Sequence, residues 1–320
     1  MELVAQGREL LSTSQAEECI ALLLPEAEKN PDNVPLLQLL GEAYLEVGNP
    51  QNAYALFDKS AQLDPEGKVG GVEKFLWLGQ LAGDRPGISW FEKGVQGLRA
   101  KLSSGGEAQE EASWLRKKLA EALCGMIEIW MTDLCMEPEA EEMCDKLITE
   151  AIMVDDSIAE SYSVLGSIRI SQQRNEDALK ALQKSWELYE SQLAVGGAAA
   201  DDIPALVRLA QSLIEVGGHE LVLDITTTVN SADDAVAEAY YLNALAHQEL
   251  RSKTEGRTAN RHIAGARDAC KLLLELTQRE DASVDPDLVE AVSEMLRSLP
   301  EVNDDDYSDS DESEWEGIDD

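Results

Sequence analysis

Apolar residues recur every three or four positions along most of this chain, which is the spacing of one buried face of an α-helix. The clearest case lies between Val34 and Pro65, where Leu37, Leu40 and Tyr44 form the stripe of a first helix. A polar turn follows, and a second stripe then ends at Pro65, since proline cannot continue a helix. The segment therefore predicts two short helices packed against each other.

Small residues mark the place where these two helices approach each other. Gly41 leaves room for the second helix, and Ala53 is its small counterpart there, while Phe57 and Ser60 are expected to face the next pair of helices. This arrangement of about 34 residues is typical of the tetratricopeptide repeat. One such repeat cannot bury its apolar face alone, so the pattern predicts neighbouring repeats.

Weaker copies of the repeat occur on both sides of this one. They begin near Leu3, Gly125, Ala159, Leu206 and Ala237. The pattern predicts an all-α, right-handed superhelical solenoid of about seven repeats over residues 1–299, with a polar insertion near residues 251–261. Residues 300–320 are too polar to fold alone and are expected to form a disordered acidic tail. Between Gly67 and Gly125 the pattern is irregular and leaves the pairing of the helices open.

The formal charge of −37 restricts the partners that the chain can bind. Residues 301–320 carry eleven acids, which leaves 52 acids against 26 bases in the rest of the chain. Direct binding of nucleic acid is not expected, because phosphates are neutralised by clustered Lys and Arg. A strongly acidic body favours a strongly basic partner, and the alternative interpretation is that the charge only keeps the protein in solution.

The acidic tail contains residues other than acids. Ser308 and Ser313 each have an acid three positions later, a pattern that acidophilic kinases favour, so both are candidate phosphorylation sites. Phosphorylation would add further negative charge. Trp315 and Ile318 suggest a short docking motif, and the alternative is a solvated tail that carries an incidental tryptophan.

The sequence contains no pattern that indicates catalysis. The three histidines lack a Cys or carboxylate at the spacing of a metal site, and no glycine-rich phosphate loop is present. We expect neither enzymatic activity nor a cofactor. Five cysteines without a C-x-x-C pair favour a reducing compartment, and no apolar run approaches the roughly 20 residues of a membrane span. We therefore expect the protein in the cytoplasm and nucleus.

The first helices of tetratricopeptide repeats line an inner, concave surface, which makes it the candidate binding groove. Its positions combine carboxylates with apolar groups and almost no Lys or Arg, a combination that suits an extended basic segment with apolar anchors. The alternative is that exposed helix positions in a Glu-rich protein are often Glu. The residues expected on this surface are Glu42, Leu45, Glu46, Ile129, Asp133, Glu137, Glu160, Val207, Gln211, Glu215, Glu238, Tyr241 and Glu249.

Three segments together resemble one family, the dedicated tetratricopeptide chaperones of large-subunit ribosomal protein number four. They are the repeat at Leu40–Tyr44, the segment Gly71–Gly94 and the acidic C-terminus Ser308–Asp320. The resemblance implies a solenoid that holds the basic internal loop of a newly made ribosomal protein in a 1:1 complex. It also implies that the chaperone enters the nucleus with its client and releases it at the pre-60S ribosome.

Two other functions remain open from the residues alone. One is a scaffold that assembles a multiprotein complex, and the other is a histone chaperone, which would also favour an acidic body and tail. A clamp for the C-terminal carboxylate of heat-shock chaperones is not expected, because Gln38 and Glu42 stand where that clamp needs Lys and Asn.

Overall fold

A computed structural model describes residues 2–105, 108–197, 199–279, 284–303 and 306. These residues form fifteen α-helices and no β-strand. They divide into two compact units, Met1–Val164 and Leu165–Asp320, and the division lies within the ninth helix. Most of the predicted tail, including Ser308, Ser313, Trp315 and Ile318, lies outside the described residues.

The first unit consists of consecutive helical hairpins, in which each of the first seven helices packs against the next along the chain. Asn33 and Asn49 begin the second hairpin's helices, since each side chain accepts a hydrogen bond from a backbone N–H three residues later. The helices are α1 (Glu2–Ser12), α2 (Ala16–Lys29), α3 (Val34–Glu46), α4 (Pro50–Leu63), α5 (Glu73–Ala82), α6 (Asp84–Ser104), α7 (Gln109–Met131), α8 (Ala140–Val154) and the start of α9 (Ala159–Ser171).

The second unit repeats this arrangement and ends with a single amphipathic helix. That last helix buries Val292 in a cluster with Cys270 and Leu273. The remaining helices are α10 (Asn175–Ala194), α11 (Ala199–Val216), α12 (His219–Ala232), α13 (Ala237–Ser252), α14 (Gly256–Leu276) and α15 (Pro286–Ser298).

Glycines on first helices allow close contact with a large side chain of the second helix. A Cβ atom on Gly41 would lie 2.8 Å from the ring of Phe57, and one on Gly79 would lie 2.5 Å from the ring of Phe91. The second pair is 12 residues apart in the sequence instead of 16, because α5 is short and only Gly83 separates it from α6. The irregular segment is therefore a tetratricopeptide-like hairpin with a shortened turn.

The structure corrects one boundary that the sequence pattern suggested and gives the conformation of the polar insertion. Gly125 does not begin a repeat, because it lies inside the 23-residue helix α7. The polar insertion is largely helical, since α13 continues to Ser252 and α14 begins at Gly256. The residues of the insertion therefore lengthen a hairpin instead of forming a separate loop.

A buried ion pair fixes the connection between α4 and α5. The Asp64 carboxylate accepts hydrogen bonds from the backbone N–H groups of residues 68, 69 and 70 at 2.8, 3.1 and 3.0 Å, and from Lys74 Nζ at 2.7 Å. Burial alone would raise the pKa of Asp64, but the Gly70 N–H, the Lys74 ammonium and the other N–H groups outweigh burial and lower it to about 2. The pair thereby sets where α5 begins.

Candidate functional site

Charged side chains from four first helices of the first unit meet on one surface, which we call the first-helix face. Its central residue is Glu42, which is partly buried and interacts electrostatically with groups on α1, α3, α5 and α7. This face carries four carboxylates and only two cations. The six residues are Glu42, Glu46, Glu73 and Glu121 with Arg8 and Lys118.

The environment of Glu42 opposes its ionisation. Burial raises its pKa, the negative charges of Glu73 and Glu46 raise it further, and Arg8 and Lys118 only partly oppose them, so that the pKa is about 7. Near neutral pH the carboxyl group is therefore protonated about half of the time. A cation bound beside Glu42 would favour the charged form and relieve the repulsion among the three acids.

An apolar cleft of about 250 Å³ adjoins these charges between α5 and α7. Leu76, Trp77 and Phe91 provide its apolar lining, and Glu73 and Glu121 stand among the residues that surround it. Lys118 also lines the cleft, and its ammonium lies 2.8 Å from the carboxylate of Glu121. The cleft thus offers an apolar surface with carboxylates at its edge.

Two glycines shape this cleft by allowing α5 and α7 to approach the same aromatic ring. A Cβ atom on Gly79 would lie 2.5 Å from the Phe91 ring, and one on Gly125 would lie 2.7 Å from it. Trp77 is held by a stacked contact with Phe57, with ring centroids 6.3 Å apart and planes 15° apart. The positions of Phe91 and Trp77 in the cleft are therefore fixed by packing within the unit.

Three of the residues predicted for the groove lie together on α3. Glu46 is exposed, Leu45 is partly buried, and Glu42 is the centre of the first-helix face. Glu160, on the start of α9, is also partly buried and lies near the thiol of Cys124. Burial raises the pKa of that thiol, and the charge of Glu160 contributes to a value of about 12.

Three other predicted residues of the first unit are placed differently. Ile129 is 6% exposed and packs in the core, where its side chain lies close to Gly87. Asp133 and Glu137 follow the end of α7, so they do not lie on a first helix. The Asp133 carboxylate accepts a hydrogen bond from the backbone N–H of Asp84 at 2.7 Å, and Glu137 pairs with Arg85 at 2.8 Å. Both therefore bind the beginning of α6.

The predicted residues of the second unit lie on α11 and α13, which pack against each other. The Gln211 side-chain amide donates a hydrogen bond to the Glu238 carboxylate and thereby joins the two helices. Glu215 and Glu249 are exposed on the same two helices, whereas Tyr241 is partly buried against the core of the last hairpin. Val207 is only 7% exposed, so its side chain packs in the core.

The sequence pattern missed several residues of the first-helix face and of the adjoining cleft. Glu73 and Trp77 lie on α5, in the segment where the helix pairing was left open, and Lys118 and Glu121 lie on α7 ahead of the supposed start at Gly125. One signal was available in the sequence. An acid and a tryptophan share the helical face of Glu73–Gln80, and Gly79 there has the same relation to Phe91 as Gly41 has to Phe57.

Within the part of the chain that the structure describes, no three His, Cys, Asp or Glu residues are grouped so that they could hold a metal ion. Among the same residues, no helix combines the length and the apolar character that crossing a membrane requires.

Comparison with known proteins agrees with the tetratricopeptide-repeat fold. Residues 34–66 match the model of the tetratricopeptide repeat. A protein of Emericella nidulans, named "Probable assembly chaperone of rpl4", is 31% identical, and the match covers 99% of this chain and 88% of that protein. A protein of the same name from Schizosaccharomyces pombe is 32% identical over 73% of this chain and 70% of its own length.

One solved structure of similar sequence supports the fold directly. It is titled "Assembly Chaperone of RpL4 (Acl4)", and it is 33% identical with a TM-score of 0.69. The match covers 79% of this chain and 96% of that chain. The all-α tetratricopeptide-repeat fold predicted from the sequence is confirmed.

Proposed function

This chain belongs to the family of the assembly chaperones of rpl4, and we propose that it is a dedicated chaperone for a newly made basic ribosomal protein of the large subunit. In this proposal an extended basic loop of the client binds in an acidic concave groove until the client is delivered to the pre-60S ribosome. The chaperone keeps that loop from binding RNA and from aggregating before its place in the ribosome is available.

The raised pKa of the Glu42 carboxyl group is the observation that carries the proposal. Its pKa of about 7 reflects burial and two neighbouring acids, so the free protein holds negative charge that its own cations do not fully balance. A Lys or Arg side chain of the client would supply the missing positive charge and would form charge-assisted hydrogen bonds. Binding a basic segment therefore relieves a repulsion that the folded chain contains.

The cleft beside Glu42 supplies the apolar part of the recognition. Leu76, Trp77 and Phe91 can cover an aliphatic or aromatic anchor of the client, and burial of apolar area contributes affinity that salt does not screen. The carboxylates at the edge then fix which residues of the client lie next to the anchor. A ligand with a cation beside an apolar residue fits both parts of the surface.

The remaining features of the proposal follow from the binding role. The protein acts as a monomer that forms a 1:1 complex with its client, and it acts without a cofactor and without catalysis. It works in the cytoplasm and the nucleus, and it enters the nucleus with the client. The acids of the second unit, Glu215, Glu238 and Glu249, extend the contact with the client's basic loop.

Neutralising the acids of the first-helix face tests the proposal. We expect Glu42→Gln with Glu73→Gln to weaken binding of a basic loop peptide of the ribosomal client at least about tenfold, because each lost hydrogen bond to a charged partner costs roughly 1.5–3 kcal/mol. Fluorescence anisotropy of the labelled peptide measures the dissociation constant, and circular dichroism verifies that the variant remains folded.

The matched control is Glu28→Gln with Glu92→Gln, two exposed acids on the second helices α2 and α6. This control removes the same formal charge, so it should bind the peptide nearly as tightly as the original chain. Equal weakening in both variants would show that only total charge matters, and the groove would then have no specific role. Proteins that copurify with the chain separate the other functions, since histones or several neutral partners would contradict a ribosomal client.

A further inference from the structure

One segment of this acidic chain is basic. Residues 251–267 contain five Lys or Arg and a single acid, whereas the whole chain has 26 bases against 63 acids. The segment covers the end of α13 and the first half of α14. Its cations are Arg251, Lys253, Arg257, Arg261 and Arg267. We call the cations of this segment the basic surface. The proposed binding of a basic client does not explain why an acidic chain carries such a cluster of cations.

Three residues of α14 place much of this surface on one side of the helix. Arg257, Asn260 and Arg267 are three and seven residues apart, the spacing of neighbouring positions on a helical face. Arg257 and Arg261 are exposed, Asn260 is partly buried, and Arg267 is largely buried. The side chains of two arginines at the beginning of α14 are therefore exposed at the surface.

The end of the folded chain lies on the same side of α14. Arg267 Nη1 donates hydrogen bonds to the carbonyl oxygens of Leu296, Leu299 and Pro300 at 3.4, 2.9 and 3.4 Å. These are carbonyl groups at the end of α15 that have no partner within that helix, and an arginine commonly binds such groups. Arg267 also lies 3.9 Å from the carboxylate of Glu301.

A second contact shows the direction in which the chain then runs. Asn260 Nδ2 donates a hydrogen bond to the carbonyl oxygen of Asp306 at 3.3 Å, and the Asp306 carboxylate accepts one from the backbone N–H of Asn303 at 2.9 Å. From Arg267 to Asn260 the chain has moved toward the beginning of α14 by seven residues, which is about 10 Å of helix. The exposed cations nearest this contact are Arg261, the residue after Asn260, and Arg257, three residues farther toward the beginning of α14.

We propose that residues 307–320 bind the basic surface of their own chain, with Arg257 and Arg261 as the main contacts. These residues lie outside the described part of the chain, but their sequence contains seven acids and no Lys or Arg. Fourteen residues reach up to about 45 Å when extended, and Arg257 is only three residues, or about 5 Å, beyond the contact at Asn260. The tail is an intramolecular ligand that covers the basic surface, and this inference does not rest on the proposed function.

The structure favours this occupant over a separate polyanion. The tail begins at the surface that it would bind, so its local concentration there is on the order of millimolar, well above that of any other copy of the chain. The described contacts of Glu301 and Asp306 already hold the start of the acidic segment against α14. Binding depends on charge pairs near solvent, so salt should weaken it.

Amide NMR spectra of the full chain test the proposal. In the original protein we expect the amide shifts of residues 307–320 to differ from those of a synthetic peptide of that sequence. Arg257→Glu with Arg261→Glu should remove this difference, because repulsion replaces attraction. The matched control is Lys101→Glu with Lys117→Glu, two exposed cations of the first unit, and it should leave the tail shifts unchanged.

A second measurement needs no variant. Raising NaCl to about 1 M, where the Debye length is ~3 Å, should move the tail shifts of the original protein to those of the peptide. Tail shifts that already equal those of the peptide at low salt, or that do not respond to Arg257→Glu with Arg261→Glu, would overturn the proposal. Dependence of the shifts on protein concentration would also overturn it, because the tail would then bind a second copy.

Discussion

Replacing Glu42 by Gln is expected to change stability and binding in opposite directions. The substitution keeps the size of the side chain but replaces its ionisable group by a neutral amide. Glu42 is partly buried and faces Glu73 and Glu46, so its charge is unfavourable in the free protein. The same charge is the one that we propose for binding a cation of the client.

The effect on stability follows from the raised pKa. The folded chain holds the proton of Glu42 up to pH about 7, whereas the unfolded chain releases it near 4.5. Between these values the folded state binds more protons, so the free energy of unfolding falls as the pH rises. Allowing for partial exposure, the loss is on the order of 1–3 kcal/mol. Glu42→Gln should therefore be more stable than the original chain at pH 8 and similar to it below pH 4.5.

The effect on binding has the opposite sign. A bound cation lowers the pKa of Glu42, so the free protein must release a proton when it binds near neutral pH. If the pKa returns to its ordinary value, affinity rises about tenfold between pH 6 and pH 8. Glu42→Gln should lose this dependence on pH and should bind about ten- to a hundredfold more weakly at pH 8.

Two measurements on the same variant test this reasoning. Urea unfolding followed by circular dichroism at pH 5 and pH 8 gives the stability, and anisotropy of an acetylated, histidine-free basic peptide gives the affinity. Glu92→Gln is the control for loss of one acid from the surface. A Glu42→Gln chain that is less stable than the original at pH 8, or that binds the peptide equally well there, would refute the argument.

Three other substitutions or deletions have expected outcomes. Asp64→Asn leaves the buried Lys74 ammonium without its charged partner and should lower the free energy of unfolding by roughly 3–5 kcal/mol in urea titrations. Because the pKa of Asp64 is lowered to about 2, the stability that the original chain gains from this group should disappear as the pH falls from about 4 to 2, and Asp64→Asn should lack that decline. Gly79→Ala places a Cβ atom 2.5 Å from the Phe91 ring and should cost about 1–3 kcal/mol, with a fall in melting temperature that a fluorescence melt detects. Deletion of residues 307–320 exposes the basic surface to the acidic surfaces of other copies, so sedimentation velocity at low salt should show association that about 0.5 M NaCl reverses. An unchanged sedimentation coefficient would contradict that expectation.

The regular part of the fold was predictable because its determinants are local in the sequence. The apolar stripe of Leu37, Leu40 and Tyr44, the small residues at Gly41 and Ala53, and the caps at Asn33 and Asn49 all act within one hairpin. Such a hairpin buries its apolar face against the next one, so a single clear repeat implies its neighbours. The acidic character of the first helices could be predicted equally well, because the charge of a residue follows from its type and does not depend on the fold.

The candidate site could be predicted only where this regularity held. Glu42 and Glu46 lie on the first helix that the pattern predicted, because α3 follows the repeat without interruption. Asp133 and Glu137 were assigned to a first helix because a glycine looks the same in the sequence whether it begins a repeat or lies inside a long helix, as Gly125 does. Asp133 binds the backbone N–H of Asp84 and Glu137 pairs with the side chain of Arg85, and both partners are about fifty residues away in the sequence.

By itself, the sequence determined the helical hairpins, the sign of the charge and the family resemblance, because periodicity, composition and motif are properties of neighbouring residues. Tertiary structure alone decided which charges face each other. Glu42 acquires a pKa of about 7 only because folding removes water from its carboxyl group and brings Glu73 from another hairpin beside it. Glu301 and Asp306 likewise reach α14 only because α15 packs there and Arg267 binds the carbonyl groups that follow α15. Electrostatic energy depends on distances in space, and those distances are set by packing between hairpins.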